Sequence, residues 1–165
     1  MQPSKMDRAA FLARFGGVFE HSPWVAEGAF DAGPLPDTAD GLHAAMVAVM
    51  RAASDERKLE LLNAHPDLAG RLALRGELTA DSTLEQASAG LDRCSPEEFL
   101  RFTELNGAYK ARFDFPFIMA VKGRSRAEIM EAFERRLHNS PEEEFATALA
   151  QVERIALLRL KDMLP

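Results

Sequence analysis

Residues 125–137 read SRAEIMEAFERRL, and this stretch carries both a start signal and a packing face for an α-helix. Ser125 stands three residues before Glu128, a capping-box pattern in which the two side chains bond backbone groups of the first helical turn. Apolar residues then recur at every fourth position, at Ile129, Phe133 and Leu137. Residues at this spacing share one helical face. The stretch therefore predicts a helix that packs one side against a core.

Helical patterns continue along most of the chain. The same serine-to-glutamate spacing occurs at Ser95–Glu98 and Ser140–Glu143, each followed by helical apolar spacing. One further helical face is formed by Phe11, Phe15, Val18 and Phe19, although two intervening glycines weaken that helix. Residues 114–123, DFPFIMAVKG, are an exception, because this apolar run contains proline and has no helical period. The sequence predicts an all-α fold, a single compact domain over residues 1–165 with about seven to nine helices and one short extended connector.

Composition limits the classes of partner. Apolar residues make up 47% and charged residues 28% of the 165 residues, which is typical of a soluble globular protein. The net charge of −6 argues against a nucleic-acid or anionic-membrane partner. No apolar run approaches the ~20 residues that span a bilayer. The single cysteine, Cys94, is compatible with a reducing compartment. We expect no nucleic acid partner, no membrane association and a cytoplasmic location.

His65 is the first candidate for chemistry. It lies in LLNAHPDLAG, residues 61–70, directly before Pro66. Proline disfavours the α conformation of the preceding residue, so a helix should end at or just before His65. The side chain at such an elbow either reaches a cleft or merely hydrogen-bonds nearby carbonyl groups. Position alone leaves both interpretations open.

Arg159 is the second candidate, because it interrupts an apolar stripe. The stripe of the last predicted helix contains Phe145, Leu149, Val152, Ala156 and Met163. Arginine is almost never fully buried unless it is paired. Arg159 could extend its head into water while its stem packs. It could instead reach a cleft and bind a carboxylate or a polar ring in a bidentate manner.

The segment LTADSTLEQASAGL, residues 78–91, offers a carboxylate. Ser82 and Glu85 are three residues apart and would share one face of a helix. This spacing also matches a capping box, in which case both side chains serve the helix. Alternatively Thr79 or Asp81 caps the helix and leaves the Glu85 side chain for a ligand.

Other chemistries lack their sequence patterns. The four histidines show no HxxxH or HExxH spacing, and one cysteine cannot build a zinc site, so no metal site is predicted. No GxGxxG or GxxxxGK[ST] loop is present to hold nucleotide phosphates.

Several motifs occur together in a characteristic order. They are FGGVFEHSPWVAEGAF at residues 15–30, HPDLAG at 65–70, STLEQ at 82–86 leading into AGL at 89–91, LNGAYKARFDFPFI at 105–118 and RIALLRL at 154–160. The ordered set resembles the family of 2-oxo-4-hydroxy-4-carboxy-5-ureidoimidazoline (OHCU) decarboxylases of urate breakdown, over about residues 11–160. One departure is Asp114, where relatives often carry a small or basic residue.

The resemblance implies a carbon–carbon lyase that converts OHCU to (S)-allantoin, without a cofactor and as a homodimer. It implies that His65 is the catalytic histidine, Glu85 its acidic partner and Arg159 the residue that holds the oxygen-rich side of the substrate. It also implies five substrate-binding residues, Pro66, Ser82, Gln86, Phe117 and Ile118. Pro66 would shape the elbow, Ser82 and Gln86 would add polar contacts, and Phe117 and Ile118 would supply backbone groups and an apolar wall.

His65, Glu85 and Arg159 are expected to line one pocket beside Phe117 and Ile118. Two other hypotheses remain open at this point. The chain could be a helical binding module without turnover, or a different cofactor-free lyase or hydrolase that acts on a related small anionic heterocycle.

Overall fold

A computed structural model of the chain describes residues 1–66 and 96–165. Within these two ranges the chain forms seven α-helices and no β-strand. After a short 3₁₀-helix at Pro3–Lys5, the helices are α1 (Arg8–Phe15), α2 (Trp24–Asp31), α3 (Ala39–Ala52), α4 (Asp55–Asn63), α5 (Pro96–Phe113), α6 (Arg126–Arg136) and α7 (Pro141–Met163). The predicted all-α fold is confirmed. None of these described helices has the length and apolar character needed to cross a bilayer.

Side-chain caps explain where several helices begin. The capping box of α6 is complete, since the Glu128 N–H donates to Ser125 Oγ at 3.1 Å and the Ser125 N–H donates to Glu128 Oε1 at 3.2 Å. At α7, Ser140 Oγ accepts from the Glu143 N–H at 3.2 Å. Helices α1, α3 and α4 begin with the capping side chains Asp7, Thr38 and Ser54. The predicted cap at Ser95 lies outside the described residues.

The described residues divide into two compact units. The first unit combines Met1–Ala64 with Val152–Pro165, and so contains α1 to α4 and the last part of α7. Its fully buried side chains include Phe11, Phe15, Leu42, Met46, Met50, Leu61 and Leu62. The C-terminal end is attached within this unit, because the Ala39 N–H donates to the Pro165 carbonyl at 2.8 Å. The single domain over residues 1–165 stays a prediction.

Helix α1 is shorter than the apolar pattern predicted. It ends at Phe15, and its cap, the Gly16 N–H, donates to the Leu12 carbonyl. Val18 and Phe19 are still buried, but they lie in turns beyond the helix. The two consecutive glycines at 16 and 17 have low helix propensity, so the helix stops there and the next residues can turn.

The second unit comprises His65–Gln151. Its described core is rich in aromatic rings, with Tyr109, Phe102, Phe113, Phe115, Phe117 and Phe133 all buried. After α5 ends at Phe113, Asp114 adopts a left-handed conformation with φ of 63°. Residues 115–121 then run without helix or strand, as predicted for the connector. The Ala120 N–H donates to Gln151 Oε1 at 2.9 Å, which fastens the end of this connector.

Candidate active site

His65 lies just past the end of α4, as predicted. The helix ends at Asn63, and the next N–H, from Ala64, donates to the carbonyl groups of Glu60 and Leu61 at 2.9 and 3.2 Å. His65 then forms a bend before Pro66 and is only 8% exposed. A buried imidazole at a chain bend is held in a restricted position, which a proton-transfer group requires.

Arg159 is buried inside the first unit. Its side chain is 5% exposed, and its guanidinium pairs with the fully buried side chain of Glu20 at 2.8 Å between Nη2 and Oε2. Nη1 also donates to the Val18 carbonyl at 3.2 Å. The interpretation in which Arg159 extends its head into water is therefore wrong. Burial of a cation is costly unless a counter-charge compensates it, and Glu20 supplies that charge.

Glu20 belongs to a tightly bonded turn between α1 and α2. Ser22 Oγ donates to the Glu20 carbonyl at 3.2 Å, and the Ser22 N–H donates to the Phe19 carbonyl at 2.9 Å. His21 has a left-handed backbone with φ of 51°, a conformation that is unfavourable for a residue with a Cβ atom. These bonds hold the turn in a shape that brings both the Val18 carbonyl and the Glu20 carboxylate to the same guanidinium.

Phe117 and Ile118 are both buried within the second unit, at 0% and 3% exposure. The Phe117 ring stacks on Phe133 with a centroid distance of 3.8 Å and an interplanar angle of 9°. The Ile118 carbonyl accepts a hydrogen bond of 2.7 Å from Arg136 Nη1. The connector backbone is therefore fixed by side chains from α6.

Arg136 belongs to a polar cluster that we call the Arg136 cluster, consisting of the buried Tyr109, Arg136 and Glu144 and the half-buried Asn139. The Glu144 carboxylate is fully buried and accepts from Arg136 Nη2 at 2.6 Å, from Asn139 Nδ2 at 3.1 Å and from the Tyr109 hydroxyl. Burial, followed by the hydrogen bond to Glu144, raises the pKa of Tyr109 well above its ordinary value. Tyr109 therefore stays a neutral donor to this carboxylate.

The remaining predicted site residues, Ser82, Glu85 and Gln86, lie outside the described residues. Arg159 belongs to the first unit, whereas His65, Pro66, Phe117 and Ile118 belong to the second. The convergence of His65, Glu85 and Arg159 on one pocket beside Phe117 and Ile118 stays a prediction.

Among the residues that the structure describes, two buried carboxylates were missed by the sequence analysis, Glu20 and Glu144. A usable signal was present in both cases, because each is the partner of an arginine on an apolar helical face. Arg136 stands three residues after the buried Phe133, as Arg159 stands three after the buried Ala156. Arginine at such a position indicates a buried counter-charge elsewhere in the chain.

Comparison with known proteins decides the family. A family model described as OHCU decarboxylase matches residues 4–161, nearly the whole chain. The chain belongs to the OHCU decarboxylase family. The resemblance inferred from the ordered motifs is therefore confirmed.

Individual members of the OHCU decarboxylase family agree with this assignment. The chain is 44% identical over 160 residues to a 2-oxo-4-hydroxy-4-carboxy-5-ureidoimidazoline decarboxylase of Halalkalicoccus jeotgali. The aligned region covers 97% of this chain and 88% of that protein. It is similar to a crystal structure of (S)-allantoin synthase, with a TM-score of 0.78 and 34% identity over 98% of this chain and 52% of that one. A crystal structure of OHCU decarboxylase in the presence of (S)-allantoin is similar with a TM-score of 0.68 and 26% identity, over 85% of this chain and 89% of that one.

Proposed function

We propose that this chain decarboxylates OHCU to (S)-allantoin in urate degradation, and is therefore a carbon–carbon lyase. The observation that carries the proposal is the family match over residues 4–161. The similarity to a decarboxylase over 97% of the chain and to an (S)-allantoin synthase structure supports it.

The reaction explains which groups such an enzyme must supply. The carbon that loses CO2 adjoins a C=N bond of the substrate, so the electron pair of the broken C–C bond flows into the substrate's own ring. An enol-like intermediate forms, and a proton delivered to one face of it sets the stereocentre. The substrate thus acts as its own electron sink, and we propose that no cofactor takes part. The protein must position the ring, stabilise developing charge and place one proton donor.

We assign the proton transfer to His65, because imidazole is the side-chain group that gains and loses protons near neutral pH. Its burial at the bend before Pro66 supports this role, because the imidazole has a restricted position. Glu85 is assigned to accept N–H bonds from the substrate or to hold the imidazole tautomer, with Ser82 and Gln86 as polar contacts.

Arg159 is assigned to the oxygen-rich side of the substrate. A guanidinium has five N–H donors in a fixed planar arrangement, so one group can bind several acceptors at once. The ion pair with Glu20 and the bond to the Val18 carbonyl orient this plane before any substrate arrives. Preorganisation of this kind lowers the cost of ordering the group on binding.

The test generates OHCU in situ from urate and follows the chirality of the allantoin produced by circular dichroism. Wild-type protein should give (S)-allantoin faster than spontaneous decay, which gives a racemate. His65→Asn should keep the fold and lose about 10²–10⁴-fold in rate, the usual contribution of general acid–base catalysis.

The control is His138→Asn, because His138 also follows the end of a helix but is exposed. This variant should keep the wild-type rate. If His65→Asn also keeps that rate, the imidazole only caps the helix. Binding of (S)-allantoin without turnover of OHCU would identify a binding module, and turnover of another heterocycle alone would identify a different substrate.

A homodimer in the cytoplasm completes the proposal. The family resemblance supports the dimer, and the single cysteine is compatible with a reducing compartment. Light scattering coupled to size-exclusion chromatography should give twice the chain mass, and fractionation of cells should place the protein with cytoplasmic enzymes. A mass equal to one chain would exclude the dimer.

A further inference from the structure

The connector at residues 115–121 needs an external support. It lies outside any helix or strand, so no regular backbone ladder fixes it. Its described polar contacts include the bond from Arg136 Nη1 to the Ile118 carbonyl at 2.7 Å and that from the Ala120 N–H to Gln151 at 2.9 Å. Its position thus depends on side chains of the neighbouring helices.

Arg136 contacts this connector in two ways. Besides the hydrogen bond to Ile118, its guanidinium carbon lies 4.3 Å from the centroid of the Phe117 ring. Cation–π contact and a charged hydrogen bond therefore act on two successive residues of the segment. A small shift of this one guanidinium would move the backbone at both positions.

Glu144 and its other donors fix the guanidinium itself. Arg136 Nε donates to Glu144 Oε1 at 3.2 Å and Nη2 donates to Oε2 at 2.6 Å, a two-point contact that sets the plane of the group. The Tyr109 hydroxyl and Asn139 Nδ2 hold the carboxylate in turn. The whole Arg136 cluster lies in the second unit.

Stability alone is a weak reason to bury such a cluster. Replacing a buried ion pair by apolar residues of similar volume is often neutral or stabilising, because desolvation offsets the attraction between the charges. What an apolar replacement cannot supply is a donor at a fixed point for the Ile118 carbonyl. The particular contribution of the Arg136 cluster is therefore to hold a hydrogen-bond donor in a fixed position beside the Ile118 carbonyl.

We propose that Arg136, oriented by Glu144 and Tyr109, is a positioning residue that sets the connector backbone at Phe117 and Ile118 for substrate binding. This inference rests on the proposed function and extends it to residues that touch no substrate. A connector that moves should hold the substrate less well and raise KM, and a misplacement of about 1 Å can also cost on the order of 10²-fold in rate.

The test separates positioning from stability with two variants. Arg136→Met leaves Glu144 buried without its cation and should be strongly destabilised. Adding Glu144→Gln removes that uncompensated charge and keeps an acceptor for Tyr109, so the melting temperature should recover. We expect KM for OHCU to stay raised, by about tenfold or more, in the recovered double variant.

Two further variants keep the result interpretable. Arg136→Lys keeps a positive donor but loses the two-point contact, so its KM should lie between those of wild type and the double variant. Ile129→Ala, in the first turn of the same helix, should lower the melting temperature through a buried cavity and keep the wild-type KM.

A wild-type KM in both the folded double variant and Arg136→Lys would overturn the inference, since the cluster would then be only structural. If the double variant does not fold, Arg136→Lys alone decides in the same way. Failure of the wild-type protein to make (S)-allantoin would instead overturn the proposed function, and this inference with it.

Discussion

Replacing Glu20 by glutamine should destabilise the protein far more than a loss of one surface charge would. Glu20 is fully buried and Arg159 is 5% exposed, and their charged atoms are 2.8 Å apart. Glutamine keeps the shape and one acceptor but removes the negative charge that Glu20 places beside the guanidinium. Breaking a buried ion pair in this way costs about 3–5 kcal/mol. The retained acceptor places the expected loss at the lower end, near ~3 kcal/mol.

The chain contains a matched control in Glu153. It also pairs with an arginine, Arg51, at 2.7 Å within the same unit, but the Arg51 side chain is 68% exposed. The Glu153 side chain is 14% exposed, but its partner stays in water, so Glu153→Gln should lose about 0.2–1 kcal/mol, close to the value of an exposed pair, and clearly less than Glu20→Gln. Both variants make the same chemical change, and the comparison isolates the effect of burial.

Urea denaturation monitored by far-ultraviolet circular dichroism measures the two losses. With a slope of about 1–3 kcal/mol/M, a loss of ~3 kcal/mol lowers the midpoint of Glu20→Gln by about 1 M or more. The thermal midpoint should fall by about 6–12 °C. Equal losses for Glu20→Gln and Glu153→Gln would refute the conclusion that Glu20 compensates a buried charge.

Three further outcomes are expected. Arg159→Ala should raise KM by roughly tenfold to a hundredfold, because a hydrogen bond to a charged group contributes ~1.5–3 kcal/mol. Measuring the kinetics well below the melting temperature of the variant separates the effect on KM from the loss of stability. Asp114→Gly should be more stable to urea than Asp114→Ala by about 1 kcal/mol, since φ there is 63°; equal stability would contradict this. Tyr109 is the only tyrosine of the chain. Its raised pKa keeps the hydroxyl protonated in the folded state at pH values near ~10, at which the tyrosine of the unfolded chain loses its proton. Stability should therefore fall above about pH 10, and tyrosinate absorbance should appear only with unfolding; absorbance from folded protein at that pH would contradict it.

Local signals were sufficient to predict the helices. The capping box at Ser125 is formed as its sequence indicates, and Ser140 caps α7. Such signals are reliable because both partners lie within one helical turn, so no distant part of the chain takes part. The connector was also predicted correctly, because its proline and the absence of helical spacing between its apolar residues argue against a helix. The error at α1 arose because apolar spacing continued past two glycines that end the helix at Phe15.

Partners of buried charges could not be predicted in the same way. Glu20 and Arg159 are 139 positions apart in sequence, and no local pattern connects them. The turn that carries Glu20 follows the early end of α1, so a helix drawn through this segment hides the position of the carboxylate as well. Capping residues and hydrophobic periodicity predict where each helix lies. They do not predict which distant element its polar side chains will contact.

The two arginines that are buried in residues 1–66 and 96–165 nevertheless follow one rule. Arg159 binds the Glu20 carboxylate and the carbonyl of Val18, and Arg136 binds the Glu144 carboxylate and the carbonyl of Ile118. Each accepting carbonyl lies in a segment without helix or strand. A buried carbonyl outside regular structure needs a donor, and a guanidinium supplies several from a single rigid group. Arginine on an apolar helical face therefore predicts more than a counter-charge, because it also predicts an irregular backbone segment that the same side chain holds in place.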